Sequence, residues 1–312
     1  MPTGSGCLAA RPTAARTVRP VAVSTVLRPV LQGGDRDAES GAGSVLAVFP
    51  TALYVQVGGQ VLAVVAADGL RLPIAAVLAE PSAARPFAAH RSGDQVTLHG
   101  GALQVGPVRY VPGRWWSAAP VRPGWPDAAG VRELGAALTA SAPEHDPGVE
   151  RALSAAGAEL RSALGGGDDE RAAAAADAVL GLGPGLTPSG DDLLAGLLVT
   201  CLGLQGAAPG QPGAAALGRH VARSAAARTP ALSAALLRCA ASGLAAPPVL
   251  ELVDAVAGRR ALAPALRALL AVGHTSAHDT ARGVQLAAQV LLDRSPDDTG
   301  APLPGAPTEE DP

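Results

Sequence analysis

Hydrophobic and polar positions change their rhythm near residue 125. Before it, short runs of Val, Leu and Ala alternate with turn residues, at 45–49, 52–57, 61–66, 95–99, 102–105 and 108–111. Runs of this length between Gly and Asp signals read as β-strands. Gly58-Gly59 is a two-residue hairpin signal, and Asp68-Gly69, Ser92-Gly93-Asp94 and Gly100-Gly101 mark further turns. Short strands at this spacing predict an antiparallel sheet or small barrel.

Beyond Trp125 the period becomes helical. Helices are predicted over 128–141, 147–164, 168–180, 190–204, 213–227, 231–242, 248–257, 262–272 and 276–293, with Gly/Pro breaks between them. Segment 190–204 is apolar nearly all round, which predicts the central buried helix. The fold class is therefore α+β, an N-terminal antiparallel β sheet or small barrel over 41–125 followed by a mostly α-helical domain over 126–294. Residues 1–40 read as a flexible Arg-bearing extension, and the Pro/Asp/Glu-rich stretch 295–312 as a disordered acidic tail.

Composition removes several function classes. The 24 basic residues are all Arg, so there is no Walker A lysine, no pyridoxal phosphate Schiff base and no lysine nucleophile. The net charge of -3, without a basic stripe interleaved with aromatics, argues against nucleic acid as a partner. The apolar run 193–204 is shorter than the roughly 20 residues a membrane span needs. Cys7, Cys201 and Cys239 are too scattered for a disulfide framework or a zinc site, which suits a reducing cytoplasm.

The chemistry concentrates in 181–196, where a Gly/Pro loop runs through Ser189-Gly190-Asp191-Asp192 into the apolar helix. Gly183 and Gly185 allow close approach of a ligand, and Pro184 and Pro188 stiffen the loop. Thr187, Ser189 and the free N–H groups of the helix start are oxyanion donors. A second stretch, 272–283, echoes the first: Ser189, Asp192 and Gly196 share the spacing Ser-x-x-Asp-x-x-x-Gly with Ser276, Asp279 and Gly283. Ser-x-x-Asp is also a variant of the capping box, so helix capping with a packing glycine is the competing structural account. Two helix starts meeting at one pocket would hold a doubly charged anion.

Adjacent helix residues diverge by about 100°, so Asp191 and Asp192 do not face one point. The repeated position makes Asp192 the expected cap and leaves Asp191 as the expected catalytic or ligand-binding carboxylate. His274 is a second catalytic candidate, with Thr275 beside it. Its spacing to His278 would suit a metal only with further ligands, so the metal assignment stays open. Arg228 and Thr229, in the knot 228–233, are candidates for binding a carboxylate or phosphate, although Thr229 capping the next helix accounts for the knot equally well.

The stretch 183–192 resembles the signature of a bacterial family, the AllH-type subunit family of oxamate carbamoyltransferase. The 229–233 knot, Gly273-His274-Thr275-Ser276 with Asp279 and Gly283, and the order of a β-rich half before a helical half extend the likeness over roughly 40–293. Ala277 and Pro230 depart from the family's usual residues. The resemblance implies a part in carbamoyl transfer from carbamoyl phosphate to oxamate, giving oxalurate and phosphate in anaerobic allantoin breakdown, and it implies partner subunits. The residues themselves also admit a stand-alone Mg²⁺-dependent hydrolase or transferase using Asp191 and Asp192, or a non-catalytic partner subunit. Mg²⁺ is the one cofactor the paired carboxylates suggest.

Overall fold

The computed structural model describes residues 17–32, 41–205, 212–273 and 275–294. These fall into two compact units, a barrel unit ending at Ser117 and a helical unit from Ala118 onward. The expected acidic tail lies outside the described residues.

The barrel unit closes in the order β1 (Thr17–Ser24), β5 (Ala75–Leu78), β4 (Gln60–Val65), β3 (Ala52–Val57), β2 (Gly41–Val48), β6 (Gln95–His99), β7 (Ala102–Val105) and β8 (Val108–Trp116). The expected small barrel is present, and it is mixed rather than wholly antiparallel. β1 pairs parallel with β8, and β4 pairs parallel with β5. Gly58 and Gly59 both take positive φ, at 55° and 73°, the conformation a two-residue turn between β3 and β4 requires.

Residues 17–32 are not a flexible extension, because Thr17–Ser24 supply the closing strand β1 and Arg28–Gln32 form a short helix, α1. Pro20 and the flanking arginines disguise the strand in the sequence, since proline normally demotes a run to an edge or a non-strand. Trp115 and Trp116 belong to this unit: the Arg28 guanidinium lies 4.9 Å over the Trp115 ring, and Trp116 Nε1 donates to the Ala22 carbonyl at 3.2 Å.

The helical unit contains α2 (Ala128–Ala140), α3 (Pro147–Gly166), α4 (Asp169–Val179), α5 (Ser189–Gln205), α6 (Pro212–Arg228), α7 (Ala231–Ala240), α8 (Pro247–Val256), α9 (Leu262–Leu270) and α10 (Ser276–Asp293). Each corresponds to a predicted helix. Asp127, Asp146 and Asp168 cap α2, α3 and α4 by accepting backbone N–H groups of the first turn. Helix α5 is the buried centre, with Leu194, Leu197 and Leu198 fully enclosed.

α5 packs most closely against α10, and glycine makes that contact. A Cβ on Gly196 would overlap the Thr280 carbonyl oxygen, and one on Gly283 would overlap the Leu193 carbonyl oxygen. The two backbones therefore touch where any side chain would hold them apart.

Candidate functional site

The two echoed motifs meet. Thr187, just before α5, has its Oγ1 3.3 Å from the Ser276 Oγ in the first turn of α10. One small ligand would reach both hydroxyls.

The two starts differ in what they leave free. At α5 the loop folds back on the helix: Gly190 N–H donates to the Leu182 carbonyl, and the N–H groups of Asp191 and Asp192 both donate to the Pro188 carbonyl. Ser189 N–H has no partner among the described residues. At α10 the first bond runs from Asp279 N–H to the Thr275 carbonyl. The N–H groups of Ser276, Ala277 and His278 are left without a partner among the described residues, and no side chain caps the helix from Thr275. Of the two helix starts expected to share the donors, α10 leaves more backbone N–H groups unpartnered among the described residues. Capping by the Ser-x-x-Asp pairs is not realised at either start, because neither Asp192 nor Asp279 accepts a backbone N–H of its own first turn.

Asp191 and Asp192 sit in different surroundings. Asp191 is 1 % exposed, and its oxygens are fully engaged. Oδ1 accepts the Gly181 N–H at 2.7 Å, and Oδ2 accepts the hydroxyls of Thr229 and of Ser233, the latter at 2.6 Å. It is a clamp that ties the loop to the start of α7. Both of its oxygens are thus already hydrogen-bonded within the protein, an arrangement that favours a structural role for Asp191 over the expected catalytic one or a Mg²⁺ site shared with Asp192.

Asp192 is 8 % exposed, and its Oδ2 has no hydrogen-bond partner among the described residues. Burial holds its carboxyl well above the usual range; the hydroxyls of Ser276 and Thr187 beside it act the other way, and the charges of Asp279 and Asp191 add to the rise. Its counterpart Asp279 is 0 % exposed. Asp279 Oδ2 meets His145 Nε2 at 3.0 Å, while Oδ1 makes no hydrogen bond among the described residues and lies 3.9 Å from the Arg282 guanidinium.

Behind Asp279 stands a network absent from the sequence-level candidates. His145, with a side chain 5 % exposed, lies between Asp279 and Glu150, its Nδ1 3.5 Å from Glu150 Oε2. Arg282 donates to both oxygens of Glu150 at 2.8 and 3.0 Å. Burial raises the Glu150 carboxyl, but the hydrogen bonds from Arg282 and Ser154 outweigh it and hold the group below its ordinary value.

The family model described as oxamate carbamoyltransferase subunit AllH matches residues 179–288. The match spans 110 of the 312 residues. The matched segment contains both helix starts, the 228–233 knot and the α5–α10 glycine contact. No solved structure matches the chain.

Within the matched segment the remaining candidates divide. Gly183 has φ 112°, and a Cβ there would press to 2.9 Å from the Ser189 nitrogen. Gly185 has φ 94° with open space on its outer side, leaving its backbone accessible to a ligand. Gly190 is a packing residue, since a Cβ would overlap the Val179 carbonyl. Arg228 is committed elsewhere: its guanidinium pairs with the Asp177 carboxylate at 2.7 Å and donates to the Asp177 carbonyl at 2.6 Å. Thr229 does not cap α7, as its hydroxyl serves Asp191 and Pro230 occupies the cap position without a side-chain bond. His278 Nε2 contacts the Leu138 carbonyl at 3.0 Å in a buried position, and its buried Nδ1 has no hydrogen-bond partner among the described residues. His274 itself lies outside the described residues.

His145 carried a faint signal, a His in the break between two helices, but Glu144-His145-Asp146 reads as a solvated turn. Ser233 lay inside the knot already singled out, one turn into α7.

Proposed function

We propose that this chain acts as a subunit of an oxamate carbamoyltransferase and that the junction of α5 and α10 binds its small anionic substrate. The observation that carries the reading is the Thr187–Ser276 contact, which lies inside the segment matched by the AllH model. Around it are the unpartnered N–H groups of α10, the Gly185 backbone and the Ser189 N–H, donors that suit a phosphate or carboxylate. Transfer of a carbamoyl group to an amide nitrogen asks chiefly for orientation and for donors aimed at the developing oxyanion. Neither a lysine nor a covalent nucleophile is required.

The test combines binding and reconstitution. Carbamoyl phosphate, oxamate and oxalurate are titrated against the chain, alone and with the other subunits of the complex, while melting temperature and oxalurate formation are followed. At least one compound should stabilise the chain, and Ser276→Ala with Thr187→Val should abolish that shift without lowering the melting temperature of the free protein by more than a few degrees. Absence of any shift together with an inactive reconstituted mixture overturns the reading. Full activity of the double variant in the complex does the same and leaves a non-catalytic partner role.

A further inference from the structure

Asp192 and Asp279 stand at equivalent places on the two echoed helices, both at least nine-tenths buried, each with one carboxyl oxygen unpartnered. A buried carboxylate oxygen without a partner costs several kcal/mol in principle, and folded chains rarely leave one so. Asp191, next in the chain, has every oxygen engaged, so this fold has the means to satisfy a carboxylate here. Arg282 spends its two short bonds on Glu150 and reaches Asp279 Oδ1 only at 3.9 Å. Both aspartates lie one turn before the Gly196–Gly283 contact of α5 with α10, so a positive charge there would compensate both.

We propose that Asp192 and Asp279 together hold a divalent cation of the Mg²⁺ class, with Thr187 and Ser276 lining the same point. The oxygen donors select a hard ion over zinc, which favours nitrogen and sulfur ligands. Magnesium is commonly held by one or two carboxylates and completes its shell with water and substrate oxygens, so a pair of aspartates suffices. His145 holds the second oxygen of Asp279 and leaves Oδ1 without a hydrogen bond, the kind of support that metal-binding carboxylates usually have. The ion would also resolve a conflict in the site, where an anion at the α10 start would otherwise face two buried carboxylates. That last step, the ion bridging carboxylates and substrate, rests on the proposed anion-binding role; the metal site itself does not.

The test uses the full chain, stripped with EDTA and titrated with Mn²⁺ under electron paramagnetic resonance. One Mn²⁺ should bind per chain, displaced by Mg²⁺, and Asp192→Asn should weaken it by at least about tenfold. Circular dichroism establishes that the variant is folded, and Asp279→Asn provides a second, independent removal of a ligand. A wild-type chain that binds no Mn²⁺ saturably overturns the proposal, as does a site unaffected by either folded variant. A melting shift with carbamoyl phosphate or oxamate in EDTA, without Mn²⁺ binding, would sink the metal and spare the anion site. Stoichiometric Mn²⁺ with no response to any of the three compounds would do the reverse.

Discussion

Gly196 of α5 and Gly283 of α10 are counterparts, each lying against the backbone that flanks the other. Gly196 abuts the Thr280 carbonyl and the Val284 nitrogen, and Gly283 abuts the Leu193 carbonyl and the Leu197 nitrogen. Those neighbours are related by the same 87-residue offset that relates the two Ser-x-x-Asp motifs, since 276 − 189, 279 − 192 and 283 − 196 all give it. The echo in the sequence is thus a local two-fold relation in space. It places Asp192 and Asp279 one turn before the crossing, on the same side of their helices as the glycines.

Gly196→Ala and Gly283→Ala should therefore destabilise the chain to similar degrees. Each gains about 1 kcal/mol of helix propensity and loses about 1–3 kcal/mol or more to backbone displacement. Gly165→Ala on α3, where a Cβ would meet nothing within 4 Å, should be neutral or slightly stabilising. Urea denaturation of the three variants checks this. A harmless Gly196→Ala would show that the helix contact is looser than described.

The adjacent aspartates should respond oppositely to substitution. Asp191→Ala removes the acceptor for Gly181 N–H, Thr229 and Ser233, leaving buried donors unpaired at a cost on the order of 3 kcal/mol or more. Thr229→Val and Ser233→Ala should each cost less, and a double-mutant cycle of Ser233→Ala with Asp191→Ala should show coupling of about 0.5–3 kcal/mol. Asp192→Asn, by contrast, should stabilise the metal-free chain. If Asp191→Ala proves neutral by denaturant titration, the clamp is not what holds the loop.

The pH dependence of that stabilisation has a definite sign. The Asp192 carboxyl is raised well above 3.8, first by burial, with Asp279 and Asp191 adding to it and the Ser276 and Thr187 hydroxyls opposing. Between the unfolded and folded values the native chain holds the proton and the unfolded chain does not, so unfolding becomes easier as pH rises through that window. In EDTA the advantage of Asp192→Asn over wild type should be small near pH 4 and grow steadily upward. Melting curves for both proteins across this range provide the measurement, and an advantage that shrinks with rising pH would contradict the assignment.

Much of this was legible in the sequence, for identifiable reasons. The helices followed from their apolar period and Gly/Pro breaks, and the pairing of the two motifs followed from their shared spacing. β1 was hidden by Pro20, and β5 by its brevity and alanine content. At the site, the sequence located the junction but not the hydrogen bonds that set Asp191 apart from Asp192. A carboxylate's role depends on which donors reach it, and those of Asp191 come from residues 181, 229 and 233, whose approach no local spacing encodes. His145 was hidden for the same reason, lying 134 residues from its partner Asp279.

His145 should act as a positioning residue for Asp279. Its Nε2 lies 3.0 Å from Asp279 Oδ2, and no other hydrogen-bond donor among the described residues reaches that oxygen. His145→Ala would leave both oxygens of a fully buried carboxylate without a hydrogen-bond donor, costing about 1–3 kcal/mol of stability. A structural role alone predicts no more than that. Positioning also predicts Mn²⁺ binding weakened by roughly 10–100-fold, with His145→Gln, which keeps an N–H donor, recovering much of the loss. Stability and Mn²⁺ affinity measured on the same samples separate the two. If His145→Ala lowers the melting temperature while the metal affinity of the folded protein is unchanged, the histidine only fills and ties the α2–α3 connection, and Asp279 needs no help to face its ligand.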